Sequence, residues 1–391
     1  MSGPLQGVKV VELAALGPAP HAAMMLADMG ADVVRIVGPA PFIGGYDVDT
    51  HLQRGRTTVR ADLKDHAALA KVRSLINEAD VLLEGFRPGT TERLGLGPAE
   101  FLEGNPRLIY ARMTGWGQSG PLAARAGHDI NYLALSGALN AVGPAEHPVP
   151  PLNLVGDFGA GSMLVLTGIL AALVEREYSG MGQVVDAAML DGIGMLSQLI
   201  LELRSVGMWT DTRGSNLLDG AAPYYRCYRC ADGQFVAVGA IEDPFYAELL
   251  SGLGLREQAA GSREPISSAE PTGSVPERIN PANWPLITEL FAQAFAQRSR
   301  DEWDKLFRDT DACVTPVLSF GEAALTPQVV ARETLHGDGA NIVAAAAPRF
   351  SRTPSAVQVP ETRATESPVS EISATETGVT LEDVLKQWQR K

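Results

Sequence analysis

Basic charge is scarce in this sequence. Its 391 residues carry 32 Lys and Arg against 46 Asp and Glu, a formal net charge of −14. Such a chain has no field to draw in nucleic acid or an anionic membrane, so neither is an expected partner. An anionic ligand must be held by a few placed cations and backbone N–H groups. Cysteine is scarce too: Cys227, Cys230 and Cys313 are all there is. Cys227-Tyr228-Arg229-Cys230 has redox or half-zinc spacing, but no second such pair or nearby histidine pair completes a metal site. The motif opens no helix in a strand–helix–strand unit, so the thiols read as incidental, in a reducing compartment. Met1 to Val8 lack the charged and apolar regions of a secretory leader. The longest apolar stretch, Met163 to Val174, is too short to cross a bilayer, and Trp388-Gln389-Arg390-Lys391 is no peroxisomal address. A cytoplasmic chain is expected.

What is present is ordinary globular composition, 45% apolar and 20% charged, in a chain long enough for two domains. The first third alternates strand and helix. Val8 to Leu13 is a β-branched run, Gly17-Pro18-Ala19-Pro20 breaks it, His21 to Met29 reads as helix, and Asp32 to Val37 as the next strand. Asp65 starts a second helix with Leu69, Val72, Leu75 and Ile76 on one face. Val81-Leu82-Leu83 and Leu108 to Ala111 are further strands. This alternation predicts an α/β fold with parallel crossovers. The turn after the first strand lacks G-x-G-x-x-G, so no dinucleotide cofactor is expected.

Gly159 to Glu175 reads as an apolar helix, and Gln183 to Leu203 as mostly helical with Asp186 and Asp191 inside it. From Tyr224 the pattern changes to a hairpin, Tyr224 to Arg229 and Gln234 to Gly239, around Asp232-Gly233. Helices follow at Pro244 to Leu253, Trp284 to Arg298 and Asp301 to Arg308, making a second α+β unit over 224–317. Gln258 to Asn280 reads as a mobile loop and Ser355 to Gly378 as an irregular arm. Thr380 caps a terminal helix with Leu381, Val384, Leu385 and Trp388 on one side.

Two residues stand out chemically. His128, in Gly127-His128-Asp129-Ile130-Asn131-Tyr132, follows a run rich in small residues. Asp157 sits at the start of the apolar helix, where the dipole and free amides suit an anion. Such an Asp is more often a plain cap, but its neighbours Gly156, Gly159 and Gly161 allow a ligand close to the backbone.

These segments, with Pro151 to Asp157, Leu108 to Arg112, Gly182 to Asp186, Gly239 to Glu242 and Asp311 to Val317, resemble the α-methylacyl-CoA racemases. That family lies in the family III CoA-transferase (CaiB/BaiF-type) superfamily. The similarity runs from Gly3 to about Phe320 and resumes at Ala347 to Thr353. It implies a Rossmann-like large domain, 1–204 completed by 330–391, and a small α+β domain, 224–317. Linkers at 205–223 and 318–329 would let two chains interlink as a homodimer. It also implies an acyl-CoA thioester substrate, no separate cofactor, His128 and Asp157 as the base pair, and Glu242 from the small domain. Arg35 would hold the CoA nucleotide, Thr58, Val59, Arg60 and Ala61 would flank the adenine, and Arg87 is a phosphate candidate. Gly127, Asp129, Ile130, Asn131 and Tyr132 complete the expected substrate-binding set.

Asp243-Pro244 departs from the family's usual residues after Glu242, and the extra carboxylate is expected to raise the pKa of Glu242. The expected chemistry is a two-base proton transfer through an enolate, with oxyanion donors from backbone N–H groups near Asp157 or Asp129. Asp157 must then be protonated in some resting forms, for which apolar walls and Glu242 are the expected cause. The rival reading is CoA transfer with Asp157 as nucleophile. Met24, Met25, Met29, Met163, Met189 and Met195 are core fillers or adaptable acyl walls.

Overall fold

The β-branched runs of the first third become the strands of one sheet in the computed structural model, which describes residues 3–39, 51–257, 274–337, 339–355, 357 and 379–389. The strands are β1 (Lys9–Leu13), β2 (Asp32–Val37), β3 (Arg56–Arg60), β4 (Val81–Glu84), β5 (Ile109–Thr114) and β6 (Val184–Ala188). Their order is β3-β2-β1-β4-β5-β6, and every pairing is parallel. This is the doubly wound arrangement, in which the chain direction across the sheet reverses at β1.

Alternate residues feed two cores. Val10, Val33, Leu83 and Ile109 point to one face, under the helices Pro18–Asp28, Asp129–Ser136, Met163–Ser179 and Met189–Leu196. Val11, Val34, Leu82 and Tyr110 point to the other, under His66–Asn77 and Leu381–Gln389. Burial on both faces is what a parallel sheet requires. Asp65 caps the helix His66–Asn77 by accepting the Ala68 N–H at 2.8 Å. The far end of the chain is stitched to the sheet by Trp388, which is 1% exposed. Its indole N–H donates to Asp32 Oδ2 at 3.2 Å, and its carbonyl accepts from Lys9 Nζ at 2.8 Å.

A second, antiparallel sheet joins β7 (Tyr225–Arg229), β8 (Phe235–Gly239) and Val314–Pro316, with β8 in the middle. The Asp232-Gly233 turn is as expected: Gly233 has φ +81, and Asp232 Oδ1 accepts the Gln234 N–H at 3.0 Å. Tyr228, Val236, Phe291, Phe295 and Trp303 form a separate core here. Cys227 and Cys230 are both free thiols on this hairpin. Burial pushes the Cys230 thiol up to about 11, which suppresses the thiolate that redox or metal chemistry needs.

Three expectations are corrected. Residues 184–188 are a strand, not helix: pairing of Val184–Ala188 with Tyr110–Thr114 overrides the local apolar pattern, and Gly180 (φ +76) has already stopped the preceding helix. The segment Thr58 to Ala61, read only for binding, falls on the edge strand Arg56–Arg60 and the residue just after it. The apolar helix begins earlier than Gly159. A π-helical stretch, Leu154–Ser162, runs directly into Met163–Ser179. Together they make 26 helical residues, long and apolar enough to cross a membrane by length and composition alone. Val165, Ile169 and Ala172 of this helix are nonetheless buried against the sheet. The loop expected at 258–280 and the arm at 355–378 fall largely outside the described residues.

Trp388→Ala should cost about 3–5 kcal/mol of stability, the usual weight of a large buried aromatic. Urea unfolding measures this; a loss below about 1 kcal/mol would mean that the terminal helix is not part of the cooperative unit.

Candidate active site

Because the sheet order reverses at β1, the loops leaving β1 and β4 diverge and open a crevice at their carboxyl ends. A cavity of about 410 Å³ occupies it. Ala14 to Pro18 after β1, Gly85 to Pro88 after β4, and Gly115 and Trp116 after β5 form its floor and walls; Ala123, Arg125 to His128, Tyr132, Asp157 and Met189 close it.

His128 and Asp157 are thus brought to the same cavity. His128 is the N-cap of Asp129–Ser136, with its own N–H donated to Asn131 Oδ1 at 3.0 Å. Asp157 lies within the π-helical stretch. There the Phe158 N–H reaches back five residues to the Asn153 carbonyl at 3.2 Å. The wider turn re-aims side chains, as π-turns at functional sites often do. A Cβ on Gly17 would stand 3.4 Å from Asp157 Oδ2, so this carboxyl hangs directly over the end of β1.

Burial pushes the Asp157 carboxyl above the usual range, and the Asp129 charge adds to that; the Asn153 hydrogen bond and the nearby His128 oppose it. That direction is the one a proton-carrying Asp157 needs, and the neighbouring carboxylate within the chain is Asp129. The Asp129 carboxylate accepts the Asp157 N–H at 2.7 Å. That amide is therefore engaged within the protein and is not an oxyanion donor. Tyr132 packs edge-on against Trp116 at 4.6 Å and is 5% exposed. Its hydroxyl is held above its ordinary value by burial and then by Asp157.

The remaining expected residues are spread out. Arg87 lines the cavity and is exposed; Gly127 also lines it, and Ile130 and Asn131 are exposed on the next helical turn. Arg35 lies inside β2 rather than ending it. It is 2% exposed, between Glu12 and Thr58 in register, and donates to Gln53 Oε1 at 3.2 Å. Thr58, Val59 and Arg60 end the edge strand β3, with Ala61 just beyond. Glu242 is exposed on the other sheet unit, as the N-cap of Asp243–Leu253, and does not line the cavity. Its neighbour Asp243 is engaged by the Arg278 guanidinium. Met189 alone of the six singled-out methionines lines the cavity; Met24 and Met29 are core, and Met163 and Met195 are exposed.

Sequence reasoning missed three contributors. Arg125 lines the mouth beside Arg87, giving local positive charge on an acidic chain. Trp116 walls the cavity. His21 stacks on Phe158 at 4.6 Å, and its Nδ1 lies 2.6 Å from Ser162 Oγ, bracing the π-helical stretch from behind. Burial, followed by Arg54, lowers its pKa and favours the neutral ring. Only the quoted small-residue run pointed toward Arg125 and Trp116; nothing local marks His21.

The geometry brings an imidazole and a buried carboxyl to one cavity at the switch point of a doubly wound α/β fold. The chain belongs to CoA-transferase family III, whose model matches residues 5–362. It is 45% identical over 352 residues to the α-methylacyl-CoA racemase of Mus musculus, covering 90% of this chain and 87% of that one. It is 46% identical over 319 residues to the α-methylacyl-CoA racemase of Homo sapiens, covering 81% and 78%. A crystal structure of a CaiB/BaiF family protein from Brucella suis shares the fold, with a TM-score of 0.73 over 92% of this chain and 97% of that one at 24% identity.

The raised Asp157 carboxyl has a stability consequence. Between the ordinary carboxylate value and the raised one, the native state holds a proton that the unfolded chain has released, so stability falls as pH rises through that window. Asp157→Asn should therefore raise Tm at pH 7 by about 1–3 °C. The gain should shrink toward pH 4, where the wild-type carboxyl protonates. An unchanged or lower Tm at pH 7 would show that the carboxylate is not under electrostatic stress.

Proposed function

We propose that this protein is an α-methylacyl-CoA racemase, interconverting the (R) and (S) forms of 2-methylacyl-CoA thioesters by 1,1-proton transfer. The observation that carries this is the meeting of His128 and a destabilised Asp157 carboxylate in one crevice. A proton next to a thioester is weakly acidic, so its removal needs a base in reach and donors for the enolate oxygen. Inversion further needs a protonated acid on the opposite face. In one direction neutral His128 takes the α-proton, the C–H electron pair moves into the thioester as an enolate, and protonated Asp157 delivers its proton to the other face. In the reverse direction anionic Asp157 is the base and protonated His128 the acid. The Asp129 N–H, at the first position of its helix, has no intrahelical acceptor and is the proposed donor to the enolate oxygen. The chemistry requires neither metal nor redox cofactor; coenzyme A is part of the substrate.

Arg87 and Arg125 at the mouth suit the anionic CoA. An extended ligand leaving the crevice across β1 and β2 would meet the Thr58 to Ala61 segment at the sheet edge, with Arg35 buried beneath it in β2. Nucleophilic CoA transfer by Asp157 fits less well, because burial and the Asp129 charge favour a proton-carrying carboxyl over a free anion.

Glu242 reaches this chemistry only from a second chain, so the proposed enzyme is a homodimer with its site shared. Met195, Leu196, Leu199, Leu201 and Met208, all more than half exposed, supply apolar surface for such burial.

Wild-type enzyme given one epimer in D2O should place deuterium at C2 and form the other epimer. His128→Ala and Asp157→Asn should each lose epimerisation by about 10²–10⁴-fold, while exchanging the α-proton of opposite single epimers. If wild type incorporates no deuterium, or each variant exchanges both epimers equally, the racemase assignment is wrong. Transfer of CoA to an added carboxylic acid would favour the transferase instead.

Co-refolding inactive His128→Ala with inactive Glu242→Ala chains should restore activity at one of two interfaces. Mixtures no more active than their parents would refute the shared site.

A further inference from the structure

We propose that Asp129 is the positioning residue of the acid–base pair: its carboxylate, fixed one residue from His128, holds the backbone at Asp157 and so sets where the Asp157 carboxyl sits. The inference rests on the proton-transfer reading of the site above, and it gives Asp129 a task that its place beside His128 in sequence does not suggest.

The geometry is that of a buried clamp. Asp129 is 9% exposed. One oxygen accepts the Asp157 N–H at 2.7 Å across 28 residues of sequence. Burial raises the Asp129 carboxyl above its usual range, and the Asp157 and Gly156 amides, both turned to the same carboxylate, oppose that rise and favour its charged form. Contact is close enough that a Cβ on Gly156 would stand 2.4 Å from Asp129 Oδ2, so any side chain at position 156 must displace this carboxylate. A π-helical stretch has weaker internal hydrogen bonding than an α-helix and needs outside support. Asp129 supplies it from the side of His128. Because His128 and Asp129 are adjacent, one rigid helix start fixes both the imidazole and the backbone of its opposing carboxyl, which sets their separation.

The clamp also carries charge. The groups facing Asp157 are Asp129 and Tyr132 on one helix, His128 at its cap, and Arg87, which with Asp157 acts on Tyr132. From the helix Pro18–Asp28, His21 stacks on Phe158 with a lowered pKa. Asp191, on the helix Met189–Leu196, is exposed and is not among the charges acting on Asp157. Asp129 is thus the neighbouring anion that keeps the Asp157 proton in place. In a two-base racemase the reactive enzyme carries one proton on the pair, so the acid limb of kcat/KM follows protonation to the two-proton form. Removing the Asp129 charge makes Asp157 more acidic and must move that limb to lower pH.

The test is the pH profile of kcat/KM for full-length Asp129→Asn, Asp129→Ala and Gly156→Ala with a 2-methylacyl-CoA substrate. Asp129→Asn keeps an acceptor oxygen and loses the charge. It should retain most of its peak activity with the acid limb shifted down by about 0.5–2 pH units. Asp129→Ala loses the acceptor as well, and its kcat should fall at least about tenfold below that of Asp129→Asn. Gly156→Ala keeps the charge but pushes it off the amides, so kcat should fall and the limb should move part of the way. It carries the test if neither Asp129 variant folds. A uniform loss of activity at all pH values, with the limb in place, would mean that Asp129 is only structural and would overturn the inference. So would equal kcat in Asn and Ala variants. Failure of the wild type itself to exchange the α-proton would instead overturn the reading on which this inference rests.

Discussion

Everything in this molecule depends on β1 being flanked by parallel strands on both sides, β2 on one and β4 on the other. Parallel strands cannot be joined by tight turns, so crossovers carry helices back over the faces: Pro18–Asp28 after β1 covers one, and His66–Asn77 before β4 covers the other. The loops leaving β1 and β4 therefore part. The crevice between them is a topological consequence, available before any catalytic residue is chosen. The residues of the first turn, Ala14 to Pro18, and those after β4, Gly85 to Pro88, line it because they are where the chain diverges.

Chemistry is added to that crevice by segments with little regular structure of their own. His128 enters at a helix cap and Asp157 in a π-helical turn, and neither lies on a strand. Such irregular elements need bracing. Asp129 holds the π-helical stretch by its amides, and His21 and Ser162 hold it through Phe158 and a hydrogen bond from the opposite helix. The same buried packing that fixes Asp157 also desolvates it. Positioning and proton affinity thus share one cause, and stability is given up for both.

Net charge illustrates how little a global sum says about a site. At −14 the chain should repel coenzyme A, yet Arg87 and Arg125 flank the crevice while Asp157 is the one carboxylate among the residues lining it. At physiological ionic strength charges act over about 8 Å, so a polyanionic ligand at the mouth responds to these neighbours more than to the distant acidic surface.

Local pattern determined much of this protein. The apolar runs at 8–13, 32–37 and 81–83, the Asp65 cap, the Asp232-Gly233 turn and the apolar stripe of the terminal helix are all short-range signals. Each carries its physical cause within a few residues, so each was legible. His128 and Asp157 were also legible, as unusual residue types beside small ones. Tertiary structure alone decided the rest. Val184–Ala188 is a strand because Tyr110–Thr114 lies beside it, and no window of sequence contains both. That Asp129 is the carboxylate beside Asp157 within the chain has the same cause: electrostatic neighbours are set by packing over 28 residues of chain, not by proximity along it. Whether a backbone N–H is free to stabilise an oxyanion depended on a side chain folding back to occupy it. A sequence can state which groups are present, but hydrogen bonds are exclusive, and which partner takes which amide is settled only when the chain is folded.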